Sequence, residues 1–416
     1  MMTLWKSSSR VVLTSTLRSA AKLDEAAMFN ALRLTLARKR RGMKKRELAE
    51  KIGVTEKSVS NYETGSQEPE ANTLRKLSEA LRFPEAFFFG VDPEVPHPDV
   101  ASFRSLSKMT ASQRDTALGA GAVALLLNEW IEARFDLPDP DVPDLGREGG
   151  DSRPVSVHKH AQEPEAYPTS SSSQTPETAA EMLRAHWGIG ELPVKNMIAL
   201  LESKGIRVYS LAIDAKEVDA FSMWSGGRPY VFLNTFKSAE HCRFDAAHEL
   251  GHLVLHQHAQ PHGPDLEREA NAFASAFLMP RASVLAMAPR APTLSSLIRH
   301  KKHWAVSVAA LNYRMHALGL TTDWTYRTLC IQLAQAGYRK SEPEGVPHEK
   351  SLVLEKVFGA LREEGLSKAD VAQQLAIFSD EINELTFGLM LNALKGGAPR
   401  MAEPTAGRAN LRLVKG

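Results

Sequence analysis

The segment FDAAHELGHLVLH, residues 244–256, sets Phe244, Leu250, Leu253 and Val254 among His248, Glu249 and His252. Apolar residues at spacings of three and four predict a half-buried helix. On such a helix His248 and His252 are one turn apart and share a face, so both imidazoles can bind one Zn²⁺. Glu249 follows His248 directly and can take a proton from an attacking water as a general base. Cysteine chemistry is unavailable for this site. The two cysteines, Cys242 and Cys330, are far apart in the chain, too few for a disulfide scaffold or a Cys-rich zinc site. A metal centre must therefore use histidine and carboxylate.

A third ligand is needed, and the next segment offers one. LEREANAFASAFLMP, residues 266–280, spaces Glu267 and Asn271 one helical turn apart, with Ala270, Phe273, Ala274 and Phe277 packing inward. This is similar to the gluzincin arrangement. There Glu267 would bind zinc, and Asn271, one turn later, would support a ligand histidine. His258 is the alternative, at the spacing H-E-x-x-H-x-x-G-x-x-H. Leu255 stands where that pattern needs glycine, so the helix cannot easily turn there. Glu269 lies off the face shared by Glu267 and Asn271. His241, His256 and His262 read as surface or second-sphere groups. Tyr230, His262 and Arg281 stay open as candidates for stabilising a developing oxyanion.

Around this centre, 416 residues predict two to four domains. A hydrophobic share of 43% and a charged share of 24% predict globular cores. The longest apolar run, near Ala120–Leu127, is too short to span a membrane. The start of the chain is too polar for a signal-peptide core, so the expected compartment is the cytoplasm. The fold class expected is multidomain and mainly α. An all-α helix-turn-helix unit comes first, then an α+β gluzincin-like unit with a small sheet, then a helical C-terminal region. Residues 1–27 read as an N-terminal extension, 28–90 as the helix-turn-helix domain and 91–136 as a helical connector. Residues 137–176 contain seven of the 23 prolines and the run Ser170–Ser173, which predicts a linker. The peptidase-like unit spans 177–320, with strands at Ile206–Leu211, Phe221–Trp224 and Tyr230–Leu233. Gly226–Gly227 marks a hairpin between the last two. Residues 321–416 read as helical with a flexible basic tail.

The net charge of +2 conceals an asymmetry. Residues 28–65 carry ten Lys or Arg against four Glu, a local balance of +6. A small helical unit with that charge has the footprint of a phosphate-backbone binder. Lys45–Ile52 predicts one short helix, Gly53–Val54–Thr55 a tight turn, and Thr55 the N-cap of a helix over Glu56–Thr64. Thr73 is read as the cap of the next helix. A short helix, a glycine turn and a second helix fit a helix-turn-helix, whose second helix offers its N-terminal residues to base edges.

KRELAEKIGVTEKSVSNYETGSQEPEANTLRKLSEAL, residues 45–81, resembles the XRE/Cro repressor family. By position, the resemblance puts Glu56, Lys57, Ser58 and Asn61 on the base-facing side of the recognition helix, with Thr55 at its start. It makes Lys44 and Arg46 phosphate contacts, Lys45 a phosphate or base-edge contact, and Arg38 with Glu63 an internal salt bridge. It assigns nothing to Lys39, Arg40 or Arg41. The second unit, through LLESKGIRV, FDAAHELGHLVLH, EREANAFASAFLMP and HWAVSVAALNYRMHALGL, resembles the ImmA/IrrE metallopeptidases. The implied protein is a cytoplasmic regulator that binds double-stranded DNA and cleaves a repressor or antitoxin-like partner under stress. Two-fold operators suggest a homodimer. Two other functions fit the residues. One is a non-proteolytic regulator whose second unit senses a ligand or partner, and the other is an antitoxin-like role.

Overall fold

The computed structural model describes residues 28–96, 102–103, 109–146, 175–211, 220–257, 263–338, 341–386 and 412–413. The extension 1–27, residues 147–174 of the linker, His258, His262 and most of the basic tail lie outside the described residues.

The first unit contains α1 (Ala31–Arg40), α2 (Lys45–Ile52), α3 (Glu56–Glu63), α4 (Ala71–Leu81) and a 3-10 turn, Glu85–Phe89. The Asn30 side chain accepts from the backbone N–H groups of Leu32 and Arg33 and so caps α1. Between α2 and α3, Gly53 has φ +74°, a left-handed conformation that favours glycine. Thr55 Oγ1 accepts from Ser58 N–H at 3.0 Å, the N-cap expected from the sequence. The start of α4 differs from the expectation. Glu70 is extended and the helix begins at Ala71, so Thr73 lies inside the first turn instead of capping it. Leu34, Leu48, Val59, Leu77, Leu81 and Phe83 fill the core with no exposed surface.

One long helix, α5 (Ala111–Glu132), joins this unit to the next. It is apolar nearly all round because it has a neighbour on both sides. On one side a Cβ at Gly119 would stand 2.8 Å from Arg40 Cα, so glycine is what lets α5 approach the α1 backbone. On the other side, the Asn128 amide donates to Tyr230 Oη at 2.9 Å and accepts from Tyr209 O–H at 3.2 Å. At its end, Glu132 pairs with Arg207 and Arg228, each at 2.8 Å.

Those partners lie on the sheet. Its strands are β1 (Ser102–Phe103), β3 (Arg207–Ser210), β4 (Ala220–Ser225) and β5 (Arg228–Leu233), in the order β1-β4-β5-β3. A separate two-residue strand, β2 (Phe135–Asp136), pairs antiparallel with β6 (Arg412–Leu413). β4 and β5 form the expected hairpin through Gly226 and Gly227, both at positive φ. β3 runs parallel to β5, and β1 lies antiparallel along β4 with Ser102 opposite Ser222.

Helices α6 (Pro176–His186), α7 (Met197–Ser203), α8 (Ala239–Leu255) and α9 (Pro264–Leu278) complete the body. The rest is helical: α10 (Arg281–Met287), α11 (Leu294–Trp304), α12 (Val308–Ala317), α13 (Asp323–Gln335), α14 (Leu352–Glu363), α15 (Lys368–Gln374) and α16 (Ser379–Thr386).

Two regions pack more closely than composition suggests. The proline-rich stretch is not linker throughout, since residues 137–146 run along the body. Asp141 pairs there with His186 at 2.6 Å and Lys204 at 2.8 Å, and Leu145 N–H reaches Val254 C=O at 2.8 Å. Proline opposes regular helices and sheets, but it does not oppose packing. The C-terminal region is woven into the body. Glu349 caps the N-terminus of α7 and pairs with buried Arg243, while Glu202 of α7 caps the N-terminus of α14. Lys301, itself buried, pairs with Glu240 at 3.0 Å and Glu342 at 3.1 Å. No helix among the described residues is long and apolar enough to cross a membrane.

Candidate functional site

The FDAAHELGHLVLH segment forms the C-terminal half of α8. His248 and Glu249 have no exposed surface, and His252 is buried. Helix α9 brings Glu267 onto them because Gly251 permits close packing. A Cβ at Gly251 would lie 3.1 Å from the Phe273 ring and 3.2 Å from Ala270 Cα. The resulting triangle is tight. His248 Nε2 and His252 Nε2 are 3.1 Å apart, and the Glu267 carboxylate oxygens stand 3.4 Å from the first and 3.3 Å from the second. A tetrahedral zinc with ligand bonds of about 2.0–2.1 Å sets its ligand atoms about 3.3 Å apart, so these donors fit that ion. Among the described residues, this is the group with metal-ligand spacing.

Electrostatics agree with the geometry. Burial alone would raise the Glu267 carboxyl, but the His248 and His252 rings facing it hold it down at about 2. The group is therefore an anion facing two imidazoles. Its side chain keeps 25% exposure, which leaves the centre open on the α9 side.

Around the triangle the outcome is mixed. Glu249 lies on the same helix, and its Oε2 accepts from Ser222 O–H at 2.7 Å. Sequence reasoning missed Ser222, because only the sheet register brings β4 beside α8. Asn271 departs from its expected role. Its amide donates to the Glu267 backbone carbonyl at 2.7 Å instead of supporting a histidine. A helical side chain leans back over the preceding turn of its own helix, which accounts for that bond. His252 is supported by His256, with their Nδ1 atoms 3.0 Å apart. Of the surface or second-sphere places expected for His256, it takes the second, since it is buried against His252. Burial and the charge of neighbouring His252 push its pKa down. Tyr230 Oη accepts from the Asn128 amide at 2.9 Å, and burial pushes its pKa up to about 12, so the phenol stays protonated.

The helix-turn-helix charges divide into two groups. Arg38 pairs with Glu63 at 2.5 and 3.1 Å, as the sequence pattern implied. Arg40 pairs with Glu381 and Glu384 of α16, Arg41 with Glu381, and Lys39 with Asp115 of α5. Arg33 is buried and donates to Val91 C=O. Much of the +6 is therefore spent holding the unit together and docking it to the body. The other group faces outward. Thr55, Glu56 and Lys57 are exposed at the start of α3, and Ser58 and Asn61 are half-buried behind them. Lys44 is exposed at the start of α2 and Arg46 pairs with Glu50, an exposed contact that contributes little. Lys45 bridges the two helices, reaching Ser60 Oγ at 3.2 Å and Glu63 at 3.3 Å.

Comparison with known families assigns both units. A family model described as helix-turn-helix matches residues 34–88, and one described as IrrE N-terminal-like domain matches residues 201–316. The class is thus a DNA-binding regulator that also carries a domain of metallopeptidase type. More particularly, an XRE-type helix-turn-helix is fused to an ImmA/IrrE-like domain, and the second match spans β3, β4, β5, α8 and α9. No curated protein matches the chain.

Proposed function

We propose that this chain is a DNA-bound regulator whose second domain is a zinc metalloendopeptidase that cleaves a regulatory protein, such as a repressor or antitoxin-like partner. The observation that carries this reading is the triangle of His248, His252 and Glu267 with Glu249 beside it. Those three residues would hold Zn²⁺, which when bound supplies Lewis acidity to a peptide carbonyl and lowers the pKa of an attacking water. Glu249 takes the proton of that water and returns it to the leaving amine. Ser222 holds one carboxylate oxygen of Glu249 and so fixes the direction of the other. The site belongs to a protein expected in the cytoplasm and expected to pair as a homodimer on two-fold operators.

The test of proteolysis is Glu249→Gln, a change that spares the ligands. The variant should hold as much zinc as wild type, capture its partner, and cleave it slower by about 10²–10⁴-fold, the usual contribution of general acid–base catalysis. Cleavage of that partner at the wild-type rate would overturn the mechanism.

Lys44, Lys45, Arg46, Thr55, Glu56, Lys57, Ser58 and Asn61 form the proposed DNA face. Lys57→Ala and Asn61→Ala should each cost about 1–3 kcal/mol on the preferred site and relax base preference, while Lys44→Ala should weaken all sequences alike and lower the salt slope by about 1. Gel-shift titrations at several salt concentrations read both effects. Three unchanged variants would remove α3 from the interface.

A further inference from the structure

Below the ligand triangle, a chain of side chains runs from α8 to α9. His252 Nδ1 meets His256 Nδ1 at 3.0 Å, and His256 Nε2 meets Glu269 Oε2 at 3.1 Å. We propose that His256 and Glu269 are positioning residues that fix His252 in its metal-binding tautomer and orientation. The inference rests on the zinc reading above.

The hydrogen-bond logic admits one proton arrangement. His252 presents Nε2 to His248 and Glu267, so that atom must keep its lone pair free to act as a ligand. The proton of neutral His252 then sits on Nδ1 and is donated to His256 Nδ1. His256, accepting there, carries its own proton on Nε2 and donates it to the Glu269 carboxylate. Each contact has one donor and one acceptor, and both rings stay neutral. The opposite tautomer of His256 would set two N–H groups against each other.

The placement of the relay supports this role. His256 is the C-cap residue of α8 and is buried, so its ring has little freedom to turn. Glu269 is on α9, two residues from Glu267, so one rigid helix delivers the third ligand and the end of the relay together. Ligand histidines usually give their second N–H to a carboxylate or carbonyl, and removing such support typically costs about 10–100-fold in metal affinity. Here a second imidazole carries that support to the carboxylate. Among the described residues Asn271 makes no bond to His252; its amide N–H donates to the Glu267 carbonyl.

The experiment measures zinc affinity of the full-length protein by competition with a chromophoric chelator, and the melting temperature of each zinc-free form. His256→Phe should bind zinc about 10–100-fold more weakly than wild type, with the zinc-free fold preserved. His256→Asn keeps an acceptor near the Nδ1 position and should recover most of that loss. A ring that only filled space would not be rescued by the smaller amide. Glu269→Ala, at a half-exposed position, should weaken zinc in an otherwise wild-type protein and add nothing in the His256→Phe background, because its effect passes through His256. It also supplies the measurement if His256→Phe does not fold. Wild-type affinity in both single variants would overturn the relay alone. A wild-type protein that binds no zinc would overturn the reading beneath it.

Discussion

His252→Ala is expected to remove zinc from the purified protein while leaving it folded. Wild type should carry one zinc per chain and the variant close to none. The ligand set is small, so losing one of three protein donors should cost more than the roughly 100-fold upper range for removing supporting groups. The loss also shows as stability. Zinc held at a concentration about 1,000 times its Kd stabilises the folded state by about 4 kcal/mol. A chelator should lower the melting temperature of wild type accordingly and leave the variant where it was. The fold survives because α8 is anchored by Leu250, Leu253 and Val254, all buried against the sheet and α9. Stoichiometric zinc in His252→Ala would place the metal elsewhere. A metal-free wild type that ignores chelators would favour a second domain that senses a ligand or partner and does no chemistry.

The parts of this centre that were legible in the sequence are those set by short-range periodicity. His248 and His252 lie one turn apart on one helix, and so do Glu267 and Asn271. Thr55 and Gly53 define the turn before the recognition helix for the same local reason. Contacts made by register or tertiary packing carried no such signal. Ser222 reaches Glu249 only because β4 lies against α8, and Glu269 reaches His256 only because Gly251 and Ala270 let two helices close. Asn271 shows the limit within a single helix, since spacing gave its face correctly and its partner wrongly. The charge count failed in the same way. It gave +6 correctly, but it could not show that Arg40 and Arg41 would meet carboxylates some 340 residues further along the chain.

Those carboxylates give the second large effect. Glu381→Ala is expected to destabilise the protein by about 3 kcal/mol, near the lower end of the roughly 3–5 kcal/mol lost when one partner of a buried pair is removed. Glu381 is 1% exposed and takes Arg40 at 3.0 Å and Arg41 at 2.5 Å. Its removal leaves Arg40, equally enclosed, with only Glu384 at the edge. The figure sits low in the range because Glu384 remains and Arg41 can partly rehydrate. Asp380→Ala is the internal control. Its pair with Arg82 is similarly short, 2.6 Å, but both side chains are more than 60% exposed. Exposed pairs contribute only about 0–1 kcal/mol, so the control should stay near wild type. Urea unfolding of the three proteins decides the matter. A cost for Glu381→Ala no larger than for Asp380→Ala would show that α16 does not hold the helix-turn-helix to the body. A clear difference would identify that ion cluster as the clamp, which uses none of the residues of the proposed DNA face.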